Sequence, residues 1–173
     1  MLEALVFVVF PFCMVFAALS DLLSMTIANR VSLLLVGTFA VLAALTGMDL
    51  ASIGWHVAAF ALVLFATFGL FAIGGMGGGD AKLLAATSLW MGFGTPLVGY
   101  LVTSSVAGGA LTLLILAFRN SGIAVLTAEN PFLRNFSEGA AGVPYGIALG
   151  IGGLLAYRDS PLMIWAVERL AAP

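Results

Sequence analysis

Long apolar runs separated by short polar clusters make up nearly the whole chain. The runs fall near 2–19, 31–47, 55–73, 81–93, 97–118 and 143–157. Runs of this kind predict transmembrane α-helices. Trp55 to Gly74 lacks the polar–apolar alternation of a membrane barrel strand. The fourth run is short and stops at Gly92-Phe93-Gly94-Thr95-Pro96, where two glycines and a proline break a helix. Pro161 opens a further short stretch, 161–170, read as a helix at the membrane interface. The first run carries Glu3 where a signal peptide has basic residues, and no small-x-small cleavage site follows it. It is therefore read as a retained helix. No repeat and no inserted soluble domain interrupts the pattern, and the longest polar loop is 119–142. The expectation is an all-α integral membrane protein, a polytopic bundle of about six transmembrane helices, forming one membrane-embedded domain over 1–173.

Composition agrees. Charged residues are 8% of the chain and hydrophobic ones 62%, with mean hydropathy +1.19. Soluble domains carry about 25% charged residues, so the composition excludes a soluble globular enzyme, a disordered chain and a nucleic-acid binder. The lipid bilayer is the expected surrounding. Cys13 stands alone and can form no internal disulfide or zinc cluster; it is read as a packed or lipid-facing thiol. Alternate crossings put Arg30, Lys82, Arg119 and Arg134 on one side, and Arg158 and Arg169 on the other. The richer side is expected to be cytoplasmic.

The informative residues are the ionisable ones touching the apolar runs, because such groups are expensive in a membrane. Asp21 ends the first run and Asp80 opens the fourth. They stand 59 residues apart, two crossings, so both fall on the predicted cytoplasmic face. Asp49 falls on the other face. Two carboxyl groups about 3 Å apart cannot both ionise and share one proton. The ionised one can activate a water against a carbonyl while the protonated one donates to the carbonyl oxygen. That is aspartic peptidase chemistry, and it calls for no metal and no cofactor. Each aspartate also has a plainer reading: Asp21 as a polar helix end, Asp80 as a helix cap. The run Gly74-Gly75-Met76-Gly77-Gly78-Gly79 can be a flexible loop, a phosphate cradle or a place where a peptide backbone approaches closely. No Gly-Lys-Ser/Thr follows it, so the phosphate reading is weak. Beside Asp80 the peptide reading is favoured.

These residues carry a resemblance. Gly77-Gly78-Gly79-Asp80-Ala81-Lys82-Leu83-Leu84-Ala85-Ala86 resembles the GxGD signature of type IV prepilin leader peptidases. Ser20-Asp21, then Thr26-Ile27-Ala28-Asn29-Arg30, resembles that family's first-aspartate block, with alanine where the family has proline. Val143-Pro144-Tyr145-Gly146 resembles its Pro-Tyr-Gly block. The resemblance implies a GxGD aspartyl protease core with Asp21 and Asp80 as the catalytic pair. It implies Gly77, Gly78, Gly79, Asn29, Lys82 and Tyr145 as residues near the substrate. The substrate would be a prepilin or pseudopilin, a basic leader followed by an apolar helix, cut at the cytoplasmic face of the bacterial inner membrane. Only about ten residues lie between the first two runs, with no paired cysteines. This resembles the short members that process Flp-type (tight-adherence) pilins, without the methyltransferase insert.

Other polar residues have plainer readings beside the functional ones. Lys82 points about 200° from Asp80 on a helix and either snorkels or meets lipid phosphate or substrate. Asn29 either caps the second helix or contacts the peptide. Tyr145 is an interfacial aromatic or a hydrogen-bonding group near the site. His56, beside Trp55, is read as interfacial. Glu129 and Glu138 are solvated loop residues or attract a basic leader. Gly108-Gly109 predicts close helix packing. Two other function classes stay open: a cation- or proton-coupled transporter using the two aspartates, and a non-enzymatic membrane subunit of a pilus or secretion assembly.

Overall fold

The computed structural model describes residues 1–121 and 142–171. Arg134, Glu129 and Glu138 lie outside the described residues. Among the described residues seven helices form: α1 (Leu2–Ser24), α2 (Asn29–Leu45), α3 (Leu50–Ala72), α4 (Gly78–Met91), α5 (Thr95–Arg119), α6 (Tyr145–Tyr157) and α7 (Pro161–Ala171). Among the described residues there is no strand. By length and composition α1, α3 and α5 can cross a membrane, while α2 and α6 are apolar but shorter.

The central element is α4. Every residue from Leu83 to Met91 is buried, as expected of a helix that is apolar on all sides. It touches α2, α3, α5, α6 and α7. At about 1.5 Å per residue its 14 residues reach only about 21 Å, short of the roughly 30 Å hydrocarbon core. The other long contacts are α1 with α6 and α5 with α6.

Small residues set how closely these helices approach. On α6, Gly146 and Gly150 face α1 one turn apart. A Cβ on Gly150 would lie 3.1 Å from the Ala18 Cβ, and one on Gly153 would lie 2.8 Å from the Met14 sulfur. Glycine at both positions lets the helices touch almost backbone to backbone. At the end away from the aspartates the core is aromatic. Phe10 stacks on Tyr157 with ring centres 3.9 Å apart and lies 5.3 Å from Trp90. The Trp90 Nε1–H donates to the Leu35 carbonyl at 3.0 Å, and the Tyr157 hydroxyl to the Val6 carbonyl at 2.8 Å. Cys13 is packed in this core.

Several expectations need correction. α1 continues past 19 through Asp21 and ends at Met25, whose φ of 52° is left-handed and whose N–H bonds the Asp21 carbonyl at 2.8 Å. α3 starts earlier than 55 because Asp49 caps it, accepting from the Ser52 amide at 2.9 Å and the Ser52 hydroxyl at 2.6 Å. His56 is buried in the protein, unlike its neighbour Trp55. It is 4% exposed, and its Nδ1–H donates to the Leu89 carbonyl at 2.6 Å. Its ring lies so close to Gly92 that a Cβ there would fall 2.9 Å from it. Gly92, at φ 67°, ends α4 against this histidine. Trp55 alone is exposed, against Phe93. α7 is amphipathic and lays Leu162 and Ala166 inward; it packs on α1, with an Arg169–Glu3 ion pair at 3.3 Å.

Candidate active site

Asp21 occupies the last turn of α1 and is 6% exposed. Its Oδ2 accepts a 2.7 Å hydrogen bond from the backbone N–H of Gly146. Gly146 is the second residue of α6, where the first amides have no partner within their own helix. The start of α6 therefore supplies a donor to Asp21, and its dipole presents its positive end there. Glycine is required at that point: a Cβ on Gly146 would lie 2.7 Å from the Asp21 Cβ and 2.9 Å from Oδ2.

Asp80 is the third residue of α4. The N-cap position belongs to Gly77, and no side chain caps this helix, so the reading of Asp80 as a cap is corrected. Gly78, Gly79 and Asp80 all lie within the helix, so the glycine run is a loop only as far as Gly77. The Asp80 side chain turns back toward Gly77, where a Cβ would meet Oδ2 at 2.7 Å. Its Oδ1 is buried without a hydrogen-bond partner.

Both carboxyl groups line one cavity of about 680 Å³, and they are near enough to interact electrostatically. The ends of α1, α3, α4 and α6 and the middle of α5 contribute to its wall. Met25, Gly74, Gly75, Met76, Gly77, Gly142, Val143 and Tyr145 edge it, and Ser104, Ser105 and Thr112 add hydroxyl-bearing side chains from α5. Asp49 caps α3 at its other end and takes no part. Asp49 lies outside the spans, and its hydrogen bonds from the Ser52 hydroxyl and amide hold its carboxyl below the usual range.

The residues expected near the substrate divide into two groups. Gly77 and Tyr145 line the aspartate cavity. The Tyr145 ring packs on Gly108 of α5, where no side chain could fit; Gly109 faces open space. Gly78 packs under the Phe71 ring and Gly79 against Ile27, with a Cβ at either position 3.2 Å from its neighbour. They serve the docking of α4, not the wall of the cavity. Asn29 and Lys82 face elsewhere. The Lys82 ammonium donates to Asn29 Oδ1 at 3.0 Å, and both edge a separate, mostly apolar hollow of about 440 Å³ with Val36 and Phe60. The N-cap of α2 is Ala28, so the reading of Asn29 as the cap is corrected. Among the described residues, no group of three or more His, Cys, Asp or Glu side chains could hold a metal ion.

Sequence reasoning missed Gly146 as a donor and the hydroxyls of α5. A signal was present for both. Gly146 stands in the Pro-Tyr-Gly block, and Thr103-Ser104-Ser105 interrupts an otherwise apolar run.

A cavity among membrane-type helices, with two carboxyl groups held on it from distant parts of the chain, fits a membrane-embedded hydrolase. The sequence profile of the type IV leader peptidase family matches residues 8–118, a span that includes Asp21 and Asp80. The chain belongs to the type IV leader peptidase family. No curated protein and no solved structure matches it significantly.

Proposed function

We propose that this peptidase is an aspartic endopeptidase in which Asp21 and Asp80 act as one catalytic pair. The observation that carries the reading is that two acids 59 residues apart in sequence meet on a single cavity at the helix ends. Such groups are costly in a bilayer and are retained where they work.

The two acids differ in ways that suit different roles. The amide of Gly146 fixes one oxygen of Asp21. This orients Asp21 as the carboxylate that takes a proton from the attacking water. The Asp80 Oδ2, turned toward Gly77 at the cavity wall, carries a proton toward the scissile carbonyl oxygen. The carbonyl carbon gains the water oxygen, the tetrahedral intermediate collapses, and the amide nitrogen leaves with a proton returned from the pair. No step needs a metal. Glycines at 74, 75 and 77 present no side chains to an extended peptide on this wall, and Tyr145 offers a hydroxyl beside it.

The substrate class is a Flp-type prepilin or pseudopilin, cut between its basic leader and its apolar helix. The scarcity of residues between α1 and α2 supports the short, peptidase-only form. Arg30, Lys82 and Arg119 flank the aspartate end, which supports a cytoplasmic active site in the bacterial inner membrane. The six-crossing arrangement adds α2, α4 and α6 to the three long helices. Asn29 and Lys82 are assigned to holding the start of α2 on α4, or to the leader where it leaves the cavity.

Co-expression with a candidate prepilin tests the function. Wild-type protein converts it to a faster-migrating form, while Asp21→Asn and Asp80→Asn insert normally and do not. Ion flux without cleavage favours a transporter, and function surviving both substitutions favours a structural subunit.

A further inference from the structure

Behind Asp80 lies a file of hydroxyls for which the mechanism above has no use. Asp80, Leu84 and Thr87 share one face of α4, at helical spacing of four and then three. Tyr100 and Ser104, four apart, share a face of α5. Ser104 lines the aspartate cavity. Tyr100, one turn along α5 from Ser104, is fully buried, and Thr87, Ser104 and Asp80 are the side chains that act on its hydroxyl.

Asp80 Oδ1, Ser104 Oγ and Tyr100 Oη are all buried, and none has a partner in full hydrogen-bonding geometry. Thr87 has only the Met14 sulfur, at 3.7 Å. Elsewhere among the described residues, Thr46 is the one other buried side chain with an unpartnered polar atom. Folded proteins leave few such atoms unpaired. Asp80 and Ser104 line one cavity and Tyr100 stands one turn from Ser104, a polar setting in which a water can join them. α6 presses on this file from outside, since a Cβ on Gly152 would collide with the Ser104 hydroxyl. That packing holds the Ser104 side chain in place between α5 and α6.

We propose that Tyr100 and Ser104 are positioning residues for Asp80, their hydroxyls donating to Oδ1 directly or through one water and fixing the carboxyl's orientation. The other titratable groups facing Asp80 are Asp21 from α1 and Tyr145 from α6. Lys82 is turned toward Asn29. α3 presents only the Thr67 hydroxyl, which bonds backbone carbonyls.

The catalytic consequence rests on the peptidase reading, but the network does not, so the test reads both. The protein is placed in phospholipid vesicles, and the carboxyl infrared band of Asp80, assigned by its loss in Asp80→Asn, is titrated. Tyr100→Phe and Ser104→Ala each move its midpoint to higher pH by about half a unit or more, because each removes a donor to the ionised form. Tyr157→Phe removes an equally buried hydroxyl, bonded to Val6 at the far end, and leaves the midpoint in place. In prepilin cleavage the first two variants lower kcat about tenfold, the worth of one hydrogen bond to a charged group, with KM within about twofold. Midpoints unmoved in both variants overturn the proposal, whatever the rates. A moved midpoint in a protein that cuts no prepilin overturns the peptidase reading and leaves the network standing. Should Tyr100→Phe fail to fold, Ser104→Ala carries the same test.

Discussion

Two glycines decide whether the aspartates can sit where they do. Gly146 and Gly77 each leave room for a carboxyl group that a single methyl would displace, since an added Cβ would fall 2.7 Å from Asp21 or Asp80. Gly146→Ala and Gly77→Ala therefore lower the cleavage rate by roughly 10²-fold, the cost of moving a catalytic group by about 1 Å. Their melting temperatures in detergent change far less than their rates. Lys82→Ala gives the contrasting result. It breaks an exposed bond to Asn29 outside the cavity, so stability falls by about 0–1 kcal/mol, and single-turnover cleavage stays within a few-fold of wild type. Reading the sequence located the acids but assigned the glycines a vaguer role. The spacing of Gly77 to Asp80 says that something approaches closely; it does not say that the approaching group is the aspartate itself.

Helix existence was legible in the apolar runs, and helix ends were not. The ends of α1 and α4 lie beyond the apolar runs, which stop at 19 and start at 81: α1 continues through Asp21 to Ser24 and α4 already begins at Gly78. Tertiary partners override that reading: Gly146 holds Asp21 within α1, and Phe71 and Ile27 hold Gly78 and Gly79 within α4. The burial of His56 was equally hard to read. Its neighbour Trp55 is exposed, but one position on a helix turns the side chain by about 100°, into the α4 carbonyl of Leu89. The aromatic core should dominate stability. Trp90→Phe loses the bond to Leu35 and leaves a small void, costing about 2 kcal/mol in thermal or denaturant unfolding. The cap of α3 adds a pH dependence. Because the folded carboxyl of Asp49 titrates below its unfolded value, its contribution is complete above the unfolded pKa and is lost as pH falls through the folded one. Asp49→Asn therefore flattens the acid limb of the melting temperature against pH and leaves the plateau near neutrality lower.

The helices form an apolar body around α4, with the cavity that holds the two acids at one end and an aromatic core toward the other. Its character as a membrane-type helical protein could be read from composition alone, since too few charges exist to coat a soluble surface. That two acids would share one end could be read from counting crossings. The cavity could not, because its walls come from five helices whose relative placement depends on glycine contacts between α1, α5 and α6. A working pair of carboxyl groups gives the whole enzyme a bell-shaped dependence of cleavage on pH, with loss on the acid side when both are protonated and on the alkaline side when both ionise. A rate that climbs steadily to high pH points to a different base.

The most direct test of the paired-acid account is a double-mutant cycle on single-turnover cleavage of a prepilin in vesicles. The account predicts that Asp21→Asn, Asp80→Asn and the double variant are slowed equally, by about 10³-fold or more, because the two groups act as one unit. Losses that add in the double variant, or a single variant cutting at the wild-type rate, contradict it.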